Sequence, residues 1–131
     1  FFDNHPWNVA SAKIIVERPE APMMKGFATG QTLVDEHYQM LPTPYSRSEV
    51  DVLARLDPDS LDLSNPGVHR NDRDFPIAWI KPYGKGRVFY SYIGHPDAAW
   101  DDPRVQTMYR EAIRWAMDGG MTPQPHPLPM R

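Results

Sequence analysis

"FPIAWIKPYGKGRVFYSYI" (Phe75–Ile93) is the stretch that decides the fold. Two apolar runs flank Pro82-Tyr83-Gly84-Lys85-Gly86, where glycine supplies the positive φ of a short reversal, so the runs are expected to pair as an antiparallel hairpin over 75–93. Both runs are nearly continuously apolar, the pattern of a sheet covered on both faces. "GHPDAAW" (Gly94–Trp100) follows at once. Gly94 lets the backbone turn sharply and Pro96 stiffens the exit, so a strand leaving the core ends on an imidazole, His95, at the sheet rim.

Downstream, "DDPRVQTMYREAIRWAMDGG" (101–120) reads as a helix over 102–118. Asp102 suits the N-cap and Pro103 the first helical position, where its missing N–H costs nothing. Val105, Met108, Ala112, Trp115 and Ala116 share one face, expected to lie on the sheet, and Gly119-Gly120 supply the stop. The tail "MTPQPHPLPMR" (121–131) alternates proline with other residues and reads as an extended, polyproline-like arm. It is either a loosely ordered terminus or an arm that docks on a partner. Residues 1–120 are therefore expected to form one domain portion and 121–131 the arm.

Upstream, Ser11–Glu17 and Glu49–Leu56 read as strands, and Thr32–Met40 begins as one and runs into a loop. The polar segment Asp57–Asp74 reads as a long loop, a kind of segment that tends to carry function in compact domains. Several strands with one clear helix indicate an α/β sheet protein that lacks some helices of a complete doubly wound sheet.

The 131 residues suit one domain, and the 40% apolar and 24% charged content is that of a soluble globular chain. A net charge of −3 without a Lys/Arg cluster gives no footprint for nucleic acid or an anionic membrane. With no cysteine, disulfides, zinc–thiolate sites and a cysteine nucleophile are excluded within these residues. No apolar run reaches the ~20 residues that span a bilayer. The start "FFDNHPW" has the look of mid-domain sequence.

Four places carry candidate chemistry. His95, beyond the carboxyl end of the best strand, is either a base, metal ligand or hydrogen-bonding group, or a cap on a loop carbonyl. Asp35 and Glu36 are adjacent on a strand, so alternation sends them to opposite sides; Tyr38 falls on the side of Glu36. They are either one site carboxylate with a loop-facing neighbour, or surface charge. His5, before Pro6 and Trp7, could bring a second imidazole. Two histidines and a carboxylate suit zinc or another divalent ion, although no compact ligand spacing such as HExxH occurs. His37, His69 and His126 read as surface or loop residues. No P-loop, GxGxxG or GxSxG is present, and the glycines of "YGKGR" serve the turn.

Taken together, "FFDNHPW", "VDEHYQM" and the run from "RNDRDFPIAW" through "GKGRVFYSYIGHPDAAW" to "REAIRWAM" resemble the ThuA-like (trehalose utilisation) family, up to Met117. The resemblance implies a flavodoxin-like three-layer α/β/α sandwich, similar to class I glutamine amidotransferases, and a role with disaccharides and their keto derivatives. It assigns His5 to the HP element, Asp35, Glu36 and Tyr38 to the DE-x-Y element and His95 to the GH element, with Arg87 and Trp100 as framework. The expected catalytic residues are then His95, Glu36 and Asp35. His5, Tyr38 and Trp100 would bind substrate, and His5 and His95 would hold a divalent metal such as zinc. The expected partners are a sugar-like small molecule and the missing N-terminal half of the domain or another protein chain, since the match starts in mid-domain. The alternative is a non-catalytic accessory subunit of a larger assembly. The resemblance points to a periplasmic or extracellular location, with the cytoplasm as the alternative.

Overall fold

The structure, a computed structural model, describes residues 2–129. Its strands are β1 (Phe2–Asn4), β2 (Val9–Val16), β3 (Thr32–Glu36), β4 (Gln39–Met40), β5 (Asp51–Leu56), β6 (Pro76–Tyr83) and β7 (Gly86–Ser91), followed by the helix α1 (Pro103–Asp118). Five strands form one sheet in the order β3-β2-β5-β6-β7, every neighbouring pair antiparallel. The sheet curls into a half-barrel, and β1 and β4 form a separate two-stranded ribbon.

This architecture overturns the expected flavodoxin-like α/β/α sandwich. A parallel pair needs a crossover of a dozen or more residues, usually a helix. Here the connections carry prolines and glycines that stop helices: Pro19, Pro22 and Gly26, then Pro42 and Pro44, then Pro58, Pro66 and Gly67. They hold only the 3-10 turns Pro22–Met24 and Pro58–Ser60, so successive strands reverse instead of crossing over. Among the described residues α1 is the one α-helix, and it packs on the Pro22–Met24 turn and on β7.

The decisive hairpin forms as its sequence dictates. Tyr83 pairs with Gly86, which leaves Gly84-Lys85 as a two-residue loop, and Gly84 takes φ +57°. A glycine with positive φ at the first loop position matches the twist of the flanking strands. The outer strand β7 is only half-buried, whereas β5, between β2 and β6, is buried at every position, Asp51 and Arg55 included.

The helix likewise keeps its written ends. The Asp102 side chain accepts from the Arg104 N–H at 2.8 Å, and the Gly119 N–H closes on the Trp115 carbonyl at 3.0 Å. Val105, Met108, Ala112 and Trp115 are buried, and each Val or Met so removed from water contributes about 1.5–3 kcal/mol. Ala116, expected on the same stripe, is exposed.

Inside the fold lies a charged network. Arg47 binds two carboxylates at once, Glu17 at 2.5 and 3.0 Å and Asp74 at 2.6 and 2.9 Å. Glu17 also takes Arg55 at 2.6 Å, and Asp74 takes the Tyr45 hydroxyl at 2.7 Å. Burial alone would raise the Glu17 carboxyl, but hydrogen bonds and charge from Arg47, His126 and Arg55 outweigh it and hold the group below its usual range. The proline-rich arm crosses this region: Trp115 donates to the Met121 carbonyl at 2.8 Å and the Gln124 N–H donates to Asp51 at 2.7 Å. The described part of the arm, to Pro129, carries no helix or strand and rests on its own chain. Met130 and Arg131 lie outside the described residues.

Candidate functional site

The end of β3 gathers the groups that the sequence singled out. The Glu36 side chain, 14% exposed, has the Nδ1 atom of His5 3.4 Å from Oε1 and the Nδ1 atom of His95 3.1 Å from Oε2. The Tyr38 hydroxyl donates to Oε2 at 2.7 Å. Burial and the Glu36 carboxylate together push the Tyr38 phenol up to about 12, so it stays a donor. An ionised carboxylate only accepts, and either imidazole can offer it an Nδ1–H. The same His5 Nδ1 also lies 3.0 Å from the Asn8 side-chain oxygen. Both imidazoles are about half exposed.

Each group has its own mount. His5 follows the β1–β4 ribbon, which Gln39 ties down: fully buried, it donates to Asp3 at 2.9 Å and the Gly67 carbonyl at 2.8 Å and accepts from the His69 N–H at 3.0 Å. His95 is carried by Gly94 at φ +124°. Asp35 joins the two halves. Fully buried, it accepts from the N–H groups of Glu36 at 2.8 Å, Gly94 at 2.8 Å and His95 at 3.2 Å.

Alternation thus separates Asp35 from Glu36 as expected, and Asp35 turns its carboxylate to backbone amides beneath the site. Trp100, expected as a pocket wall, lies under the Gly94 turn: its indole donates to the Gly94 carbonyl at 3.0 Å and stacks on Tyr109 with centroids 5.1 Å apart. The aromatic surface beside Glu36 comes instead from Tyr38 and from Phe2, 5.0 Å apart edge to face, with Phe2 49% exposed. Nothing in the spacing marked Phe2; only pairing of β1 with β4 brings it here. Among the described residues no three His, Asp or Glu side chains are grouped to hold a metal ion, and His5 and His95 are directed at opposite oxygens of one carboxylate.

His37 departs from its surface reading. It is fully buried, with Nδ1 3.5 Å from the Tyr92 hydroxyl and Nε2 without a hydrogen-bond partner. Burial depresses its pKa against the opposing charge of Asp35, so it is kept neutral. As pH falls through the value of an unfolded histidine, about 6.5, the unfolded chain takes up a proton that the folded chain refuses. Stability contributed by neutral His37 is therefore present above that value and lost below it. Urea midpoints at pH 7 and pH 5 should fall more for the wild type than for His37→Gln, by up to about 1.4 kcal/mol per pH unit. Parallel losses in the two proteins would remove His37 from this role.

The ThuA family, described as trehalose utilisation, matches residues 1–116. Among solved structures, a putative ThuA-like protein from Bacteroides uniformis ATCC 8492 is 27% identical with a TM-score of 0.64. The match covers 88% of this chain and 46% of that one, so this chain spans less than half of that relative. No curated protein matches significantly. With the family match running from the first residue almost to the end of α1, this chain belongs to the ThuA (trehalose utilisation) family.

Proposed function

We propose that Glu36, His5 and His95 form an acid–base site for a sugar or keto-sugar derivative. The convergence of two Nδ1 atoms on one carboxylate carries the reading. Each imidazole paired in this way is oriented by Glu36, which also stabilises the imidazolium that forms when Nε2 takes a proton. Two such groups side by side suit a reaction in which one proton is removed and another delivered. In a keto-sugar, one Nε2 takes the proton from the carbon beside the ketone, and the electron pair forms an enolate. The second imidazole, as imidazolium, protonates the oxygen that leaves or the carbon that is refilled. Phe2 and Tyr38 offer an apolar face to the C–H side of a pyranose, while the imidazoles address its hydroxyls. Asp35 and Trp100 are positioning residues in this scheme.

The test uses keto-disaccharides in deuterated water, read by loss of the C–H signal beside the ketone. The wild type should exchange it, and Glu36→Gln, which replaces a pure acceptor with an amide, should slow exchange about 10²- to 10⁴-fold. Absence of exchange or cleavage by the wild type would sink the reading. A divalent ion held by His5 and His95 belongs to the same proposal; zinc titration followed on the histidine ring signals tests it. The accessory-subunit reading keeps one supporting observation, the sheet-edge strand β3 with Val34 57% exposed. That reading gains if the chain elutes only with a partner and leaves every sugar unbound.

A further inference from the structure

The strand β7 has the sequence of an interior strand and the position of an edge. Val88, Phe89 and Tyr90 are only partly buried, whereas β5, between two neighbours, is buried throughout. Pro82 faces Arg87 and has no N–H, so this pair cannot exchange two ladder bonds; alternation places the bonds at Lys81–Val88 and Trp79–Tyr90. The N–H and C=O groups of Arg87, Phe89 and Ser91 therefore point away from β6. Among the described residues β7 pairs with no strand but β6, and none of the backbone bonds outside the ladders involves these three residues. Edge strands are ordinarily blunted by lysine, proline, a bulge or extreme shortness. Here six residues run in unbroken register with β6, without lysine or proline.

The helix beside this edge has a bare side of its own. Tyr109, Ile113 and Ala116 share one flank of α1 at i, i+4 and i+7. Tyr109 meets Phe89 edge to face with centroids 6.1 Å apart, and an Arg87 nitrogen lies 3.5 Å from the Ala116 carbonyl, so this flank borders β7. Ile113 is nevertheless 62% exposed, and Ala116 is exposed too. The opposite flank, with Arg104 and Glu111, borders the turn at Lys25. One strand added beside β7 would cover the open edge and the bare flank together.

We propose that β7 is the dimerisation edge of this chain, paired antiparallel with β7 of a second copy about a two-fold axis at Phe89. The complementarity of the strand to itself selects this occupant. With Phe89 facing Phe89 of the other copy, Val88 faces Tyr90 and Arg87 faces Ser91. Aromatic–aromatic and aromatic–β-branched pairs are favourable across strands, and the one charge of β7 meets a hydroxyl instead of a like charge. Arg87, Phe89 and Ser91 carry the outward backbone groups, so in this register each outward N–H finds a carbonyl of the other copy. Phe89 lies on the α1 side of the sheet, where the Phe89 pair meets Tyr109 and Ile113 of both copies. A two-fold contact closes on itself, so the sheet stops at two copies. The other edge suits the role less, since β3 ends in Asp35 and Glu36, both engaged at the site already described.

Sedimentation velocity on the whole chain reads the outcome. At about 50 μM the wild type should run at twice the 15.1 kDa of one chain. On dilution to monomer, the Arg87, Phe89 and Ser91 amides should exchange at least about tenfold faster, with those of Thr32 and Val34 in β3 unchanged. Arg87→Pro removes one outward N–H and no ladder bond, and Ile113→Glu puts a charge on the bare flank. Each should weaken the dimer at least about tenfold while the circular dichroism of the monomer stays that of the wild type. A wild-type chain that remains monomeric overturns the proposal and leaves β7 to a strand of a different polypeptide. So does a dimer that either substitution leaves unweakened, or association beyond two copies, the mark of β7 pairing with β3 instead.

Discussion

Arg47→Met destabilises the fold by about 3–5 kcal/mol, the cost of leaving a buried carboxylate without its partner. Arg47 is the shared cation of two acids whose side chains are 3% and 2% exposed, Glu17 and Asp74, and its planar fork meets both at once. Methionine fills similar space but supplies no donor. Glu17 keeps Arg55 and His126, so the heavier loss falls on Asp74, which keeps Tyr45 at 2.7 Å and has Arg70 only at 3.9 Å. The Arg47 site joins the end of β2, the loop before β5 and the segment before β6, so the loss reaches across the sheet. Urea unfolding at pH 7 measures it. The double variant Arg47→Met with Asp74→Asn should recover part of the stability, because the second change removes the orphaned charge. A loss below about 1 kcal/mol in the single variant would mean that water reaches Asp74, and that the network is a surface feature.

The contrast between this network and the hairpin shows what was legible in the sequence. Gly84 and the apolar runs around it specify a local reversal, and Asp102-Pro103 and Gly119 specify helix ends, because each rests on neighbours in the chain. Glu36 and Tyr38, two apart on one strand side, were equally local, and their hydrogen bond follows. Strand direction was not local. Nearly continuous apolar runs fit a parallel sheet and a central antiparallel one alike, and β5 is buried on both faces in an antiparallel sheet. Arg47, Asp74 and Glu17 come from three connections that only the finished fold brings together, so no spacing announces them. His37 and His126 were misread for the same reason: one is buried by Tyr92 and β3, the other is seated by residues more than half the chain away.

Gly94→Ala separates the mount of His95 from its chemistry, and its cost comes from two sources that add. At φ +124° an L-residue is strained by about 1–3 kcal/mol. The new Cβ would also stand 2.8 Å from Cζ2 and 3.0 Å from Cε2 of Trp100, closer than packed carbons come. Trp100, about half exposed, is held on its other side by the indole bond to the Gly94 carbonyl and the stack on Tyr109. Overpacking of that kind costs about 1–3 kcal/mol. Relief comes most directly from moving the Gly94-His95 turn off Asp35, whose bonds to the two amides fix it. The substitution should therefore lower stability by about 2–6 kcal/mol in sum. It should also release His95 from Glu36 while His5, held from the β1–β4 side, stays. Histidine ring nitrogen shifts distinguish the two: the His95 Nδ1–H signal should lose its carboxylate partner and that of His5 should keep it. If both rings shift together, the site is one cooperative unit and Gly94 is no separate mount; if neither does, Trp100 moves instead and the close packing beneath the turn holds nothing in place.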